Sequence, residues 1–334
     1  MKLNKIFTSH MVFARNLPIR IYGEGLGKVE IQFAGKTKTL NSENDNWLVE
    51  FEPMEYGGPY SMEVKFEDNT VVLEDIYIGE VFLFAGQSNM QFKLGTSNTP
   101  DELYCSNDKL RFFCTDTVEN TDHFTPDDGW VVCEKDIVDK WSAVAYLAAN
   151  EYSTKNNVAV GVLVCYQGTS IIESWVPCNS FDHLGVDTSD PTRHSEASMI
   201  QKWNADGFMY SFSFSEVIPF STSTVIWYQG ESDSRSNEEG EIYADELATL
   251  INIWRKDLRN ENLPFVIIQI ADYLGCSNPE AWKLVQKAQI DIQSKVPFVK
   301  TVISKDVCEN DNIHPATKHK VAKRVAEALQ EINN

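Results

Sequence analysis

Long apolar runs and positive charge are what this sequence most lacks. No stretch reaches the roughly 18 consecutive apolar residues that a membrane-spanning helix needs. Only 29 lysines and arginines stand against 49 aspartates and glutamates in 334 residues, which gives a formal net charge of −20. A surface this acidic repels nucleic acid and anionic membranes. We therefore expect neither a nucleic-acid partner nor a membrane partner.

Patterned cysteines and histidines are missing as well. The seven cysteines form no C-x-x-C pair, and the six histidines form no H-x-H or H-x-x-x-H pair. This spacing argues against a structural zinc site and favours reduced thiols. Because no long apolar segment follows the lysines near Met1, no secretory leader is predicted. These features together predict a cytoplasmic protein, while nothing in the sequence indicates its oligomeric state.

The length of the chain predicts two domains, because single hydrophobic cores rarely grow beyond about 250–300 residues. Residues 1–78 show short alternating apolar patterns, for example at Val29, Ile31 and Phe33, separated by turn signals such as Gly58 and Pro59. This pattern predicts a small antiparallel, β-sandwich-like domain. Residues 79–334 are predicted to form a second, larger domain.

In the second domain, strands that look buried alternate with amphipathic helices, which favours a parallel sheet covered on both faces. Five strands are predicted, over residues 81–85, 110–114, 159–165, 224–228 and 265–270. Two late helices are expected to begin at Asn278-Pro279 and at His314-Pro315, because proline suits the first helical turn. The irregular stretch 175–210 is long for a compact domain, and such stretches are more often functional than idle.

The segment GEVFLFAGQSNMQF, residues 79–92, ends an apolar strand on Gly86 and places Ser88 between the amides of Gln87 and Asn89. One interpretation is an ordinary turn. The other is a nucleophile at the carboxyl end of a central strand, where open α/β sheets place their active sites. It is not the G-x-S-x-G elbow, because Met90 stands at the position of the second glycine. Gln87 and Asn89 are candidates for supporting this turn or contacting substrate.

A second motif, DNIHP, lies near the carboxyl terminus. Asp311 stands three residues before His314, so in a tight turn its carboxylate can orient the imidazole, which then presents Nε2 to a serine elsewhere. The alternative is that Asp311 only caps a turn and that His314 is a solvated loop residue. The motif alone does not decide between these interpretations.

Two further strand ends carry polar groups. In VIWYQGESDS, the amide of Gln229 can donate to an oxyanion, and Glu231 can hold loops together or bind a sugar hydroxyl. After the strand 159–165, Gly168 can bring its N–H close to a reacting carbonyl because it has no side chain. Glu173 and Trp175 follow and are candidates for lining a sugar site, although a tryptophan here is more often part of the core. Three such strand ends and one D-x-x-H motif make the set that acyl transfer requires.

The blocks GEVFLFAGQSNM, VIWYQGESD and DNIHP resemble the SGNH hydrolase superfamily, specifically the sialate O-acetylesterase family and its carbohydrate acetylesterase relatives. The resemblance implies Ser88 as nucleophile, His314 as general base and Asp311 as its orienting acid. It implies an oxyanion hole from the N–H groups of Ser88 and Gly168 and the Gln229 side chain. It further implies a three-layer α/β/α sandwich with a flavodoxin-like parallel sheet, and it requires no metal or organic cofactor.

The resemblance leaves several points open. Gln91 stands where many relatives have glutamate, and either Asp311 or Glu231 can support His314. The expected substrate is an acetylated sugar, with sialic acid favoured. Arg193 or Arg235 can bind its carboxylate despite the acidic surface. Acetylated xylan or another oligosaccharide is the alternative substrate, and a non-catalytic carbohydrate-binding protein on the same fold is the alternative function.

Overall fold

The computed structural model describes residues 1–118, 129–185 and 201–333. The described strands are β1 (Lys2–Leu3), β2 (Val12–Ala14), β3 (Ile19–Glu24), β4 (Gly27–Phe33), β5 (Lys36–Ser42), β6 (Asn46–Phe51), β7 (Gly57–Lys65), β8 (Thr70–Gly86), β9 (Asn107–Cys114), β10 (Val131–Cys133), β11 (Val160–Tyr166), β12 (Thr224–Tyr228), β13 (Phe265–Ile268) and β14 (Val299–Val302). The described α-helices are α1 (Ser88–Gln91), α2 (Ala143–Asn156), α3 (Phe208–Phe212), α4 (Asn237–Asp257), α5 (Pro279–Lys295) and α6 (Lys318–Asn333).

The amino-terminal strands form two facing sheets. One contains β1, β3 and β6, and the other pairs β5, β4 and β7 antiparallel with the first half of β8. The alternating residues Val29, Ile31 and Phe33 point inward and are buried. The rings of Phe33 and Phe51 meet across the two sheets with centroids 6.0 Å apart. The predicted alternating strands are therefore present and form a sandwich.

Strand β8 belongs to both parts of the molecule. Its first half pairs with β7, while its second half, from Glu80 to Gly86, pairs in parallel with β11 and β12. Residue 79, at the predicted domain boundary, thus lies inside a strand of 17 residues. The division into domains at this residue stays a prediction.

The central sheet has the order β10-β9-β11-β8-β12-β13-β14. All neighbours from β9 to β14 run parallel, and only β10 pairs antiparallel. The five predicted strands are confirmed, whereas β10 and β14 were not predicted. Without β9, the parallel strands are β11, β8, β12, β13 and β14 across the sheet. Numbered by their order along the chain, they follow the flavodoxin-like order 2-1-3-4-5. The chain reverses its direction of winding at β8, so that strand lies at the topological switch point.

The helices pack as two pairs, α2 with α6 and α4 with α5. Helices α5 and α6 both contact β14 but belong to different pairs, so the two pairs lie on opposite faces of the sheet. This is the expected three-layer architecture. The start of α5 is confirmed, with the Asn278 side chain accepting from the N–H groups of Glu280 and Ala281. The prediction for α6 is wrong by three residues, since that helix begins at Lys318 and not at Pro315.

All seven cysteines are free thiols. Among the described residues, no helix is both long and apolar enough to span a membrane. The predicted irregular stretch 175–210 lies partly outside the described residues. Its described part contains short 3-10 turns at Asp182–Leu184 and Lys202–Asn204 and the start of α3.

Candidate active site

The turn that presents Ser88 depends on the glycine at the end of β8. Gly86 has a φ of +139°, and a Cβ at this position would lie 2.1 Å from the carbonyl oxygen of Tyr228. Only glycine fits such a close approach with this backbone. The N–H of Gln87 donates to the same carbonyl at 3.0 Å. Ser88 then starts α1 at the switch point of the sheet, where it is partly exposed and within reach of a substrate.

His314 lies beside Ser88, although 226 positions separate the two residues in the sequence. The Nε2 atom of its imidazole lies 2.7 Å from the Ser88 Oγ. The loop 303–317 carries His314 back from the end of β14, and the Asn312 side chain accepts the His314 N–H at 2.9 Å. Burial and the positive charge of Lys318 both lower the pKa of His314. The imidazole is therefore neutral near pH 7 and can accept the serine proton.

Asp311 is exposed, and no hydrogen bond joins it to His314 within residues 1–118, 129–185 and 201–333. Within the part of the chain that the structure describes, Ser88 and His314 thus form a pair with no carboxylate bonded to the imidazole. The predicted orienting role of Asp311 stays a prediction.

Glu231 approaches the histidine loop indirectly. It is buried, and its Oε1 accepts from the Nδ2 of Asn89 at 2.5 Å. The same Nδ2 donates at 3.0 Å to the carbonyl oxygen of Ile313, the residue before His314. Burial raises the pKa of Glu231, while the hydrogen bond from Asn89 and the charge of Lys318 oppose this shift. Glu231 thus acts on the histidine loop through an amide and not by contact with the imidazole.

Lys318 is a residue of this site that the sequence did not reveal. Its Nζ donates to the Asn89 Oδ1 at 2.5 Å, and its side chain is fully buried. Burial lowers the pKa of Lys318 to about 8, against the raising effects of Cys308, Glu231 and Glu309. The sequence gives one indication that Lys318 lies near His314, because it stands one helical turn after that residue. Lysine is so rarely buried, however, that spacing alone does not single it out.

The predicted oxyanion donors differ in their availability. The N–H of Ser88 is the first of α1, and a first-turn N–H has no partner inside its own helix. The N–H of Gly168 donates to the Oε1 of Gln91 at 2.9 Å. A Cβ on Gly168 would lie 3.6 Å from the Cβ of Ser88, so this glycine borders Ser88. A substrate oxygen that binds the Gly168 N–H has to displace the side-chain Oε1 of Gln91.

The Gln229 amide is fully buried and already bonded. Its Nε2 donates to the Ser170 carbonyl oxygen at 3.0 Å and to the Asp233 carboxylate. Its Oε1 accepts from the Tyr243 hydroxyl at 2.9 Å. Because both N–H groups of the amide are engaged, donation to an oxyanion requires one of these bonds to open.

The remaining candidates, Gln87, Glu173 and Trp175, are buried inside the protein. The Oε1 of Gln87 accepts from the N–H groups of Gly230 and Ser232 at 3.2 and 3.3 Å, which ties the nucleophile turn to the loop after β12. Glu173 is buried as well. Trp175 has no exposed surface and packs edge-on against Trp227, with ring centroids 5.8 Å apart. The core alternative considered for Trp175 is therefore the one that the structure adopts.

Arg193 and Arg235 are the two arginines predicted to bind a substrate carboxylate. Arg193 lies outside the described residues. Arg235 follows the Glu231 loop and is half-buried, with its backbone carbonyl accepting from the Asn278 side chain at 3.3 Å.

Comparison with known proteins identifies relatives of this chain. The sialate O-acetylesterases of Homo sapiens and Rattus norvegicus are 23% and 22% identical to it over 87% of its length. The chain spans only 61% and 64% of the length of these two proteins. A solved carbohydrate acetylesterase from Xanthomonas citri is 25% identical, with a TM-score of 0.85 over 99% of this chain and 75% of that one.

The structure of NanS is similar in fold, with a TM-score of 0.51 and 13% identity over 75% of this chain and 96% of that one. The family model described as "Carbohydrate esterase, sialic acid-specific acetylesterase" matches residues 78–331, which is well over half of the chain. This match confirms the resemblance inferred from the three sequence blocks. The chain belongs to the sialic acid-specific acetylesterase family of carbohydrate esterases.

Proposed function

We propose that this protein is a carbohydrate O-acetylesterase that removes acetyl groups from O-acetylated sugars, with Ser88 as nucleophile and His314 as general base. The observation that carries the proposal is the 2.7 Å approach of the His314 Nε2 to the Ser88 Oγ at the carboxyl end of the central sheet. Membership of the carbohydrate esterase family supports the same chemistry.

The first half of the reaction acylates the serine. His314 takes the proton of the Ser88 hydroxyl as the Oγ attacks the acetyl carbonyl carbon. The N–H groups of Ser88 and Gly168 donate to the negatively charged oxygen that forms, once the side-chain Oε1 of Gln91 has left the Gly168 N–H. The protonated imidazole then gives its proton to the departing sugar oxygen, which leaves an acetyl group on Ser88.

The second half releases acetate. His314 takes a proton from a water molecule, whose oxygen attacks the acetyl-enzyme, and the imidazolium returns the proton to the Ser88 oxygen. A donor to the oxyanion typically contributes about 100- to 1000-fold to turnover in such reactions. His314 must be neutral for both halves, so activity falls as the pH drops through its pKa, which burial and Lys318 hold below the ordinary value of 6.5.

The proposed sugar is sialic acid, on the strength of the family and of the activity named for the human and rat relatives. Acetylated xylo-oligosaccharides are the second candidate class. The acetyl group is common to both, so the serine and histidine chemistry is the same for either substrate.

The test is acetate release by wild type and by the Ser88→Ala variant, assayed in parallel on O-acetylated sialic acid and on acetylated xylo-oligosaccharides. We expect release from sialic acid by the wild type, and a loss of at least about 1000-fold in the variant, because the nucleophile is gone. Circular dichroism of both proteins controls for folding.

The possible outcomes separate the parts of the proposal. Serine-dependent release from the xylo-oligosaccharides alone would replace the sugar and keep the enzyme. Serine-dependent hydrolysis of a small aryl acetate, with no release from either sugar, would reject both proposed sugars. Binding of acetylated sugars with no Ser88-dependent hydrolysis of any ester would overturn the proposal in favour of a binding protein.

A further inference from the structure

A buried ammonium lies next to the proposed catalytic pair, and the mechanism above does not use it. Lys318 is the first residue of α6, and its Nζ donates to the Asn89 Oδ1 at 2.5 Å. Burying a charge is costly unless it is paired and hydrogen-bonded. We therefore expect a buried lysine at this position to have a role that an apolar side chain cannot fill.

The amide of Asn89 connects three separate parts of the chain. Its Oδ1 accepts from Lys318, while its Nδ2 donates to the Glu231 carboxylate and to the Ile313 carbonyl oxygen. The amide thus uses its oxygen and both N–H groups. It lies one residue after Ser88, and the carbonyl that it holds lies one residue before His314.

Other groups surround the ammonium and set its charge. It lies 4.8 Å from the centroid of the Phe92 ring and 5.7 Å from that of Tyr228. The Phe92 ring in turn lies 6.4 Å from the His314 ring. The titratable groups whose interactions favour the charged form of Lys318 are Glu231 from the loop after β12 and Cys308 and Glu309 from the loop after β14.

We propose that Lys318 is a positioning residue for the reaction: through the Asn89 amide, its ammonium fixes the peptide before His314 against the helix that carries Ser88. The amide can hold Ile313 only in the orientation that points its Nδ2 at that carbonyl, and the donation from Lys318 to Oδ1 selects this orientation. This inference rests on the proposed function, since it assigns a role within the same site.

The positive charge has a second consequence for the same reaction. It disfavours a proton on the nearby imidazole, and it contributes with burial to the lowered pKa of His314. A purely structural lysine would leave the pH dependence of catalysis unchanged when replaced. A lysine that acts on the Ser88–His314 pair would not.

The test is the pH profile of kcat/KM and the value of kcat for a small aryl acetate, measured on Lys318→Met and on Lys320→Met. Lys320 is exposed on the same helix, so its variant removes the same charge away from the site. For Lys318→Met we expect the acid limb to move to higher pH, because the imidazole no longer faces a cation. We also expect kcat to fall by about 10- to 100-fold, with KM little changed, since misplacement of a catalytic group costs rates of this order. Lys320→Met should behave as wild type.

A second variant keeps the inference testable if Lys318→Met fails to fold. Asn89→Ala breaks the link but leaves the ammonium, so kcat should fall by about 10-fold or more with a smaller shift of the acid limb. A wild-type kcat in Asn89→Ala, or a wild-type acid limb in a folded Lys318→Met, overturns the inference. Ser88→Ala in the same assay keeps the two proposals apart. If it is active, the proposed function fails; if it is inactive while Lys318→Met matches wild type, only the role of Lys318 fails.

Discussion

The imidazole of His314 is flanked by a cation and an aromatic ring, and no carboxylate contacts it in the described part of the chain. The Phe92 ring lies 6.4 Å from the imidazole between centroids, and the Lys318 Nζ lies 4.8 Å from the Phe92 centroid. The Asn312 side chain and the Asn89 amide hold its backbone from two sides. The backbone at His314 is therefore held by Asn312 and Asn89, so we expect the proposed base to depend less on an acid at Nδ1.

This arrangement predicts a modest effect for Asp311→Asn. We expect kcat on an aryl acetate to fall by less than about 10-fold, whereas loss of a carboxylate that holds the imidazole in a serine protease costs about 10⁴-fold. His314→Ala, measured alongside, gives the reference for complete loss of the base. A fall of about 1000-fold or more in Asp311→Asn would mean that Asp311 reaches Nδ1 during turnover.

Sequence and structure agree best on residues whose chemistry is visible in local pattern. Ser88 follows an apolar strand and a glycine, and His314 lies in a compact D-x-x-H-P motif, so both could be proposed from the sequence. Lys318 could not, because its burial depends on Asn89 and Glu231, which lie 229 and 87 positions away in the chain. The hydrogen bonds that occupy the Gln229 side chain could not be predicted either, because its partners Ser170 and Tyr243 lie far from it in the chain.

Among the elements, the turn at the end of β8 is the one whose geometry the site depends on most directly. Gly86→Ala should lower the free energy of unfolding by at least about 3 kcal/mol, because the new Cβ meets the Tyr228 carbonyl and the backbone region is nearly restricted to glycine. The control is Gly35→Ala, where φ is +76° but no atom lies within 4 Å of the new Cβ. There only the left-handed backbone is disfavoured, and a loss of about 1 kcal/mol is expected.

Urea denaturation followed by circular dichroism measures both variants. Poor yield of folded Gly86→Ala agrees with the expectation. Equal losses of stability for Gly86→Ala and Gly35→Ala would contradict it, because the close approach to Tyr228 would then contribute nothing.

Two of the elements that the sequence analysis missed or misplaced, β14 and α6, have physical explanations. Strand β14 has only four residues, three of them half-buried, so it shows no apolar run of the kind that marked the inner strands. Helix α6 starts three residues later than predicted because residues 315–317 form hydrogen bonds with other loops instead. The carbonyl of Ala316 accepts from the Asn98 N–H at 3.1 Å, and the Thr317 N–H donates to Glu309 at 3.2 Å. Contacts over such distances along the chain override the helix preference of Pro315.

At the scale of the whole molecule, a cluster of charges joins the amino terminus to the larger part of the chain. The Nζ of Lys5 lies 2.7 Å from Asp116 and 2.9 Å from Glu216, and the Glu216 carboxylate accepts from the Asp116 N–H at 3.1 Å. Burial raises the pKa of Glu216 from 4.5 to about 7, against the lowering effect of Lys5. The folded state therefore binds this proton more tightly than the unfolded chain does.

The contribution of Glu216 to stability is complete below pH 4.5 and is lost as the pH rises through about 7. The free energy of unfolding of Glu216→Gln, taken relative to wild type, should therefore rise between pH 5 and pH 8, by about 3 kcal/mol at most. Urea midpoints at the two pH values measure the difference. Glu241→Gln removes one negative charge at the exposed surface and controls for the net charge of −20. A constant difference between Glu216→Gln and wild type across this range would contradict the expectation.

The continuity of β8 also bears on how such a molecule can change in evolution. Modular proteins exchange parts at flexible linkers, where a crossover disturbs no hydrogen bonds. Here the joint between the sandwich and the central sheet lies inside one strand, and the backbone is paired on both sides of residue 79. A recombination event at this joint must preserve the register of two sheets at once, because a shift of one residue turns every side chain to the opposite face. A crossover at residue 79 therefore disturbs the strand that ends at the serine turn.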